Sequence, residues 1–238
     1  MSSFTLAWHF LFFGVLPYVV IAVLILGSLA RFVLAPFSWK SQSSEILDKK
    51  DIFWGANLFH IGVIFLFCGH CFGLFTPTEW LNAAGLTPRL HQMMEIICGG
   101  LSAIVAITGL IILTWRRLTN ERVRAASRPS DFWVLFLLLA VIILGIGCVV
   151  NSYLYDKSGA TIILLGGWVR GLFSFDYQAW QNILLVPDWQ KGHIFVGLII
   201  FLIVPFTRLV HIWSGYLSVF YLIRPHQIMR ANNGKPMK

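Results

Sequence analysis

The sequence predicts an all-α membrane protein, a bundle of five transmembrane helices, and three observations carry that prediction. Of 238 residues 58% are hydrophobic and 12% charged, where a soluble domain has about 45–50% apolar and about 25% charged residues. Five apolar runs reach the roughly 20 residues that a bilayer-crossing helix needs. Basic residues fall mostly on one side of those runs. Together these exclude an ordinary soluble domain, and 15% aromatic residues exclude a disordered chain. Four Cys in so apolar a chain do not suggest a disulfide scaffold.

The predicted spans are about 4–34, 52–75, 90–115, 131–155 and 187–213, within one integral membrane domain over 1–238. The first is too long in its apolar part for a cleavable signal and lacks a basic leader, so it is expected to remain. A sixth stretch, about 159–175, carries Arg170 and four glycines and is a poor span; it reads as an interfacial or re-entrant helix. With five spans, fourteen of 18 Lys and Arg lie on the side of Arg31, Arg116–Arg128 and Arg208, and Arg89, Lys157, Arg170 and Lys191 lie on the other. The positive-inside rule then sets the amino terminus outside and the carboxyl terminus, with a tail over 214–238, in the cytoplasm. The net charge of +8 thereby reports orientation rather than affinity for nucleic acid. Trp8, Trp54, Trp80, Trp115, Trp133, Trp189 and Trp213 sit near the predicted ends, as an interfacial aromatic belt does.

Charge is scarce, so histidines inside the spans stand out. His60 and His70 lie in the second span, His193 and His211 in the fifth. An ionisable group at membrane depth is costly and marks a functional site by default. Imidazoles facing across a bundle are what axial ligation of haem iron needs, so two helices with two His each would hold two b-type haems. The second and fifth spans run in opposite directions, which pairs His60 with His211 and His70 with His193. One difficulty is axial: at about 1.5 Å per residue the first two are about 15 Å apart and the second two about 27 Å. Pro205 lies between the second two and is able to kink that span. The other readings of these four are bundle histidines hydrogen-bonded across helices, or a proton or metal relay.

The segments NLFHIGVIFLFCGHCFGLFTP (Asn57–Pro77) and HIFVGLIIFLIVPFTRLVHIWS (His193–Ser214), with the basic loop RRLTNERVRA (Arg116–Ala125), resemble the gamma subunit of respiratory membrane-bound nitrate reductase over nearly the whole chain. The resemblance implies a dihaem cytochrome b of the bacterial cytoplasmic (inner) membrane. Such a subunit oxidises quinol (ubiquinol or menaquinol) near the outer face. It anchors two cytoplasmic partners, an iron–sulfur beta subunit and a molybdenum-containing alpha subunit on which nitrate is reduced. It implies His60 and His211 as ligands of the cytoplasm-side haem, His70 and His193 of the outer haem. His91 departs from the enterobacterial members, which resemble this stretch but have a lysine there beside the quinol; an imidazole at that depth is able to accept a quinol proton. Gly69 matches a position of the same pocket, with helix packing as the other reading.

Several features stand outside that scheme. Cys68 and Cys71 form C-x-x-C without the βαβ context of a redox motif, and Cys98 and Cys148 read as apolar filler. Arg208, one turn before His211, would meet a haem propionate or snorkel to the interface. Glu95, one turn after His91, would take a proton from it or cap the helix start. His9 and His226 are assigned no role. Two rival functions remain at this point: a related cytochrome b of a sulfite- or heterodisulfide-reductase-type complex, and, in another class, a proton-coupled transporter built on intramembrane His. A plain membrane anchor is a third.

Overall fold

The computed structural model describes residues 3–35, 38 and 52–213; the expected tail over 214–238, His226, Lys40, Lys49 and Lys50 lie outside them. Among the described residues there are helices and no strand, as a chain in hydrocarbon must have when every backbone group is satisfied within its own segment. Five helices are long and apolar enough to cross a membrane: α1 (Ser3–Leu34), α2 (Ile52–Phe75), α3 (Pro88–Thr119), α4 (Pro129–Tyr155), and Asp188–Phe206. Between the last two lies α5 (Ala160–Phe173). At about 1.5 Å per residue α5 is roughly 21 Å long, short of a hydrocarbon core of about 30 Å. Large apolar side chains such as Leu26, Ile64, Phe65, Leu101 and Ile143 are exposed, the inverse of a soluble surface. The chain is a multi-pass membrane protein.

Helices associate here by close packing of small residues. Gly62 of α2 meets the backbone of Ala106 in α3, where an added Cβ would sit 2.5 Å from the Ala106 nitrogen. One helical repeat away, Gly109 of α3 gives the same room to Phe59 and Gly55. Ala103, Ala106, Leu110 and Ile142 form the buried cluster around this seam. A second cluster joins Phe13 of α1 to Trp168, Val169 and Leu172 of α5.

Prolines set two of the irregularities. Pro17 has no N–H for the carbonyl of Phe13, one turn back. The helix widens into a π turn over Leu11–Val15, and the Trp168 indole N–H donates to the Phe13 carbonyl at 2.8 Å. The fifth span departs further from expectation. It was expected as one helix over 187–213; the α-helix, α6 (Asp188–Ile203), stops before Pro205 and is followed by 3₁₀ turns at Val204–Phe206 and Arg208–Val210. Thr207 between them is extended, with φ −120° and ψ −176°. The carbonyls that this break releases are met by Arg31 of α1, whose Nη1 donates to Pro205 and Thr207, each at 2.7 Å. Arg208 beyond the break reaches the Asp131 carboxylate of α4 at 2.6 Å, and Arg117 of α3 reaches the same oxygen at 3.1 Å.

Hydrogen bonds to charged groups contribute about 1.5–3 kcal/mol each. Arg31→Met is therefore expected to lower stability by about 2 kcal/mol or more, measured by detergent unfolding titration. Arg122→Met, at an exposed position, is expected to leave it unchanged.

Candidate functional site

Two histidine pairs face each other between α2 and the fifth span. The rings of His60 and His211 have centroids 6.1 Å apart and planes at 73°; those of His70 and His193 are 6.0 Å apart and inclined by 18°. Both pairs meet because the chain leaves the helix axis between His193 and His211, at the break around Pro205 and Thr207. His60 and His70 are exposed, while His193 and His211 are half-buried.

Local backbone orients all four rings. Nδ1 of His60 lies 2.7 Å from the Ala56 carbonyl and Nδ1 of His70 2.7 Å from that of Leu66, each one turn back on α2. Nδ1 of His193 reaches the Val141 carbonyl of α4 at 2.9 Å, and Nδ1 of His211 the Arg208 carbonyl at 2.7 Å. A carbonyl only accepts, so each Nδ1 carries the hydrogen and each lone pair is on Nε2. That tautomer is the one that metal-ligating histidines adopt when the other nitrogen is hydrogen-bonded. Gly145 makes the Val141 contact possible: a Cβ there would press to 3.1 Å from the His193 ring.

The donor set fits a metal held between two imidazoles. With metal–nitrogen bonds of roughly 2.0–2.1 Å, two coaxial rings ligating one ion have centroids about 6.3 Å apart, and both pairs are near that separation. Groups of three or more His, Cys, Asp or Glu able to hold a metal ion by themselves are absent among the described residues. Two facing imidazoles supply two axial nitrogens, the number that an iron held in a planar macrocycle such as haem takes from the protein.

At the His70–His193 end, His91 is 4% exposed, and its Nε2 has no hydrogen-bond partner among the described residues. It lies beside Phe72 with ring centroids 6.0 Å apart and borders a pocket with Gly73, Thr76, Leu86, Ile162 and Arg170. Gly69 has open space where a Cβ would stand, so it is not a helix-packing contact. Arg170, which makes α5 a poor span, donates to the carbonyls of Leu74 and Thr76 at 3.1 Å each and closes the end of α2. The four cysteines are free thiols, and His9 bonds back to the Thr5 carbonyl within the first turns of α1 and lies beside Phe13.

Two groups that build this site escaped the sequence reading. Asp131 is a single acid at a span start, 5% exposed, that anchors Arg117 and Arg208 at the opposite end. Gln92, 1% exposed, donates to Ser152 Oγ at 2.9 Å and the Asp156 carbonyl at 2.8 Å, fixing the start of α3, and with it His91, against the end of α4. The signal available was its place one residue after His91 in an apolar stretch.

The Asp156 carboxylate caps the start of α5. Burial alone would raise its pKa; hydrogen bonds from Thr161, Ser158 and Gly159 outweigh that and hold it at about 2. Its stabilising effect is therefore complete above the ordinary value of about 3.9 and is lost as pH falls through about 2. Asp156→Asn is expected to flatten the acid limb of melting temperature against pH in detergent, where the parent protein loses stability.

Comparison with known proteins agrees with this architecture. The family model described as the nitrate reductase gamma subunit matches residues 9–232. The chain is 36% identical over 220 residues to the respiratory nitrate reductase 2 gamma chain of Escherichia coli (strain K12), covering 92% of this chain and 96% of that one. It is 36% identical over 222 residues to the respiratory nitrate reductase 1 gamma chain of the same organism, covering 93% and 97%. The nitrate reductase gamma chain of Bacillus subtilis (strain 168) is 35% identical over 221 residues, covering 92% and 97%.

Proposed function

The chain belongs to the nitrate reductase gamma subunit family, and from that premise we propose that it is the quinol-oxidising, dihaem membrane subunit of a respiratory nitrate reductase. One observation carries this reading: four histidines in two facing pairs, each with Nδ1 held by a backbone carbonyl so that Nε2 is the ligating atom. In this reading His60 and His211 hold the cytoplasm-side haem, and His70 and His193 the outer one. The two haems, when bound, supply one-electron carriers between a quinol and the cytoplasmic iron–sulfur beta subunit, from which the molybdenum-containing alpha subunit is served.

The residues of this chain orient, exclude and move protons. Quinol sits at the His70–His193 end, where Gly69 leaves open space, with a hydroxyl turned towards the small, water-sized pocket beside His91. His91 Nε2, buried and without a partner among the described residues, takes the hydroxyl proton, as a neutral imidazole is able to do. Thr76 and Arg170 border the same pocket, the guanidinium being held on the Leu74 and Thr76 carbonyls. In this reading that end faces outward, with the amino terminus outside and the carboxyl terminus in the cytoplasm of a bacterial inner membrane, an orientation that the bias of basic residues supports. At the other end Arg31, Arg117, Arg208 and Asp131 lock the broken fifth span, giving the beta subunit a rigid surface to cover.

His91→Ala is expected to lower quinol oxidation by about 10²-fold or more, the range of a lost general base, with haem content intact. Turnover of the variant with a soluble quinol analogue checks this, and unchanged turnover would remove the assigned role.

A further inference from the structure

We infer that Glu95 takes the proton on from His91, so that one imidazole serves both hydroxyls of a quinol. This rests on the reading of His91 given above. Oxidation of a quinol to a quinone releases two protons and two electrons, and one neutral imidazole accepts a single proton. A second acceptor within reach of the first allows both protons to be taken.

Glu95 stands one helical turn after His91, where i and i+4 side chains share a face. It opens a π turn over Glu95–Gly99, a distortion frequent at functional sites. The two side chains converge on one point of α2: a Cβ built on Gly73 would lie 2.7 Å from Glu95 Oε1 and 3.3 Å from His91 Nε2. The gap between those atoms is thereby at most about 6 Å, which a single water bridges in a proton transfer. Gly73 keeps the gap open, since any side chain there would occupy it. Among the described residues, the other charged group bordering this space from a packed element is Arg170 of α5.

The steps balance. A quinol O–H bond breaks and the proton forms an N–H bond at His91 Nε2, one electron leaving with ferric haem as the oxidant. The imidazolium N–H then breaks and an O–H bond forms at Glu95, leaving a neutral acid and a neutral imidazole. The second hydroxyl gives its proton to the regenerated Nε2 as the second electron leaves in the same way. Both protons then pass to water at that end of the bundle.

The test uses the assembled holoenzyme with Glu95→Gln and Glu95→Asp. Haem content is read after dithionite, the rate of haem reduction by quinol in stopped flow, and carboxyl protonation by infrared difference spectroscopy on adding quinol. Glu95→Gln is expected to keep its haem, to slow quinol-driven reduction about tenfold or more, and to lose a carboxylic-acid band that the parent shows. Glu95→Asp is expected to recover most of the rate and to shift that band. A parental rate in Glu95→Gln, or a band unchanged in both variants, overturns the relay and leaves quinol oxidation standing. Should Glu95→Gln fail to assemble, the band of Glu95→Asp decides alone: shifted supports the relay, unshifted overturns it. If quinol fails to reduce the parent protein, the reading of His91 itself fails.

Discussion

In hydrocarbon, a carbonyl without its helical N–H must find a donor inside the protein, and the rest of this structure depends on how that demand is met. Pro17 frees the Phe13 carbonyl, and the Trp168 indole answers it, fastening α5 to α1. Pro205 ends α6, and Arg31 answers with two bonds across the bundle. The end of α2 is closed by Arg170. The histidines answer the same demand: each Nδ1 donates its hydrogen to a carbonyl, and the ring is fixed with its lone pair on Nε2.

The break at Pro205 shows how such a local defect becomes a site. A continuous helix would carry His211 about 27 Å beyond His193, far from the level of His60. Two 3₁₀ turns around an extended Thr207 redirect the chain instead, and His211 comes to 6.1 Å from His60. This course needs buried charge to hold it. Asp131, 5% exposed, binds Arg117 and Arg208 and also accepts the Arg128 N–H at the start of α4. Buried ions of this kind are retained where both partners are satisfied, since removing one leaves the others uncompensated.

Five helices and the His60–His211 and His70–His193 pairing were legible in the sequence, because apolar length and antiparallel direction are one-dimensional properties. The poor sixth span was legible for the same reason, and α5 is 14 residues long. The partners of Arg170 and Arg208 were not: Arg170 reads only as the mark of a poor span and Arg208 as reaching a propionate or the interface, whereas the structure gives Arg170 two carbonyls and Arg208 a carboxylate from another helix. Such contacts join residues far apart in the chain, and no local spacing encodes them. Glu95 was visible as a neighbour of His91, but its convergence with His91 on Gly73 depends on the π turn and on the register of α2 against α3.

The central claim is that two separate imidazole pairs each hold one haem. A pyridine haemochrome assay of purified protein, expressed per chain, tests it most directly. The account predicts two b-type haems per chain in the parent and one each in His60→Ala and His193→Ala. No haem in the parent, or two retained in either variant, would contradict it.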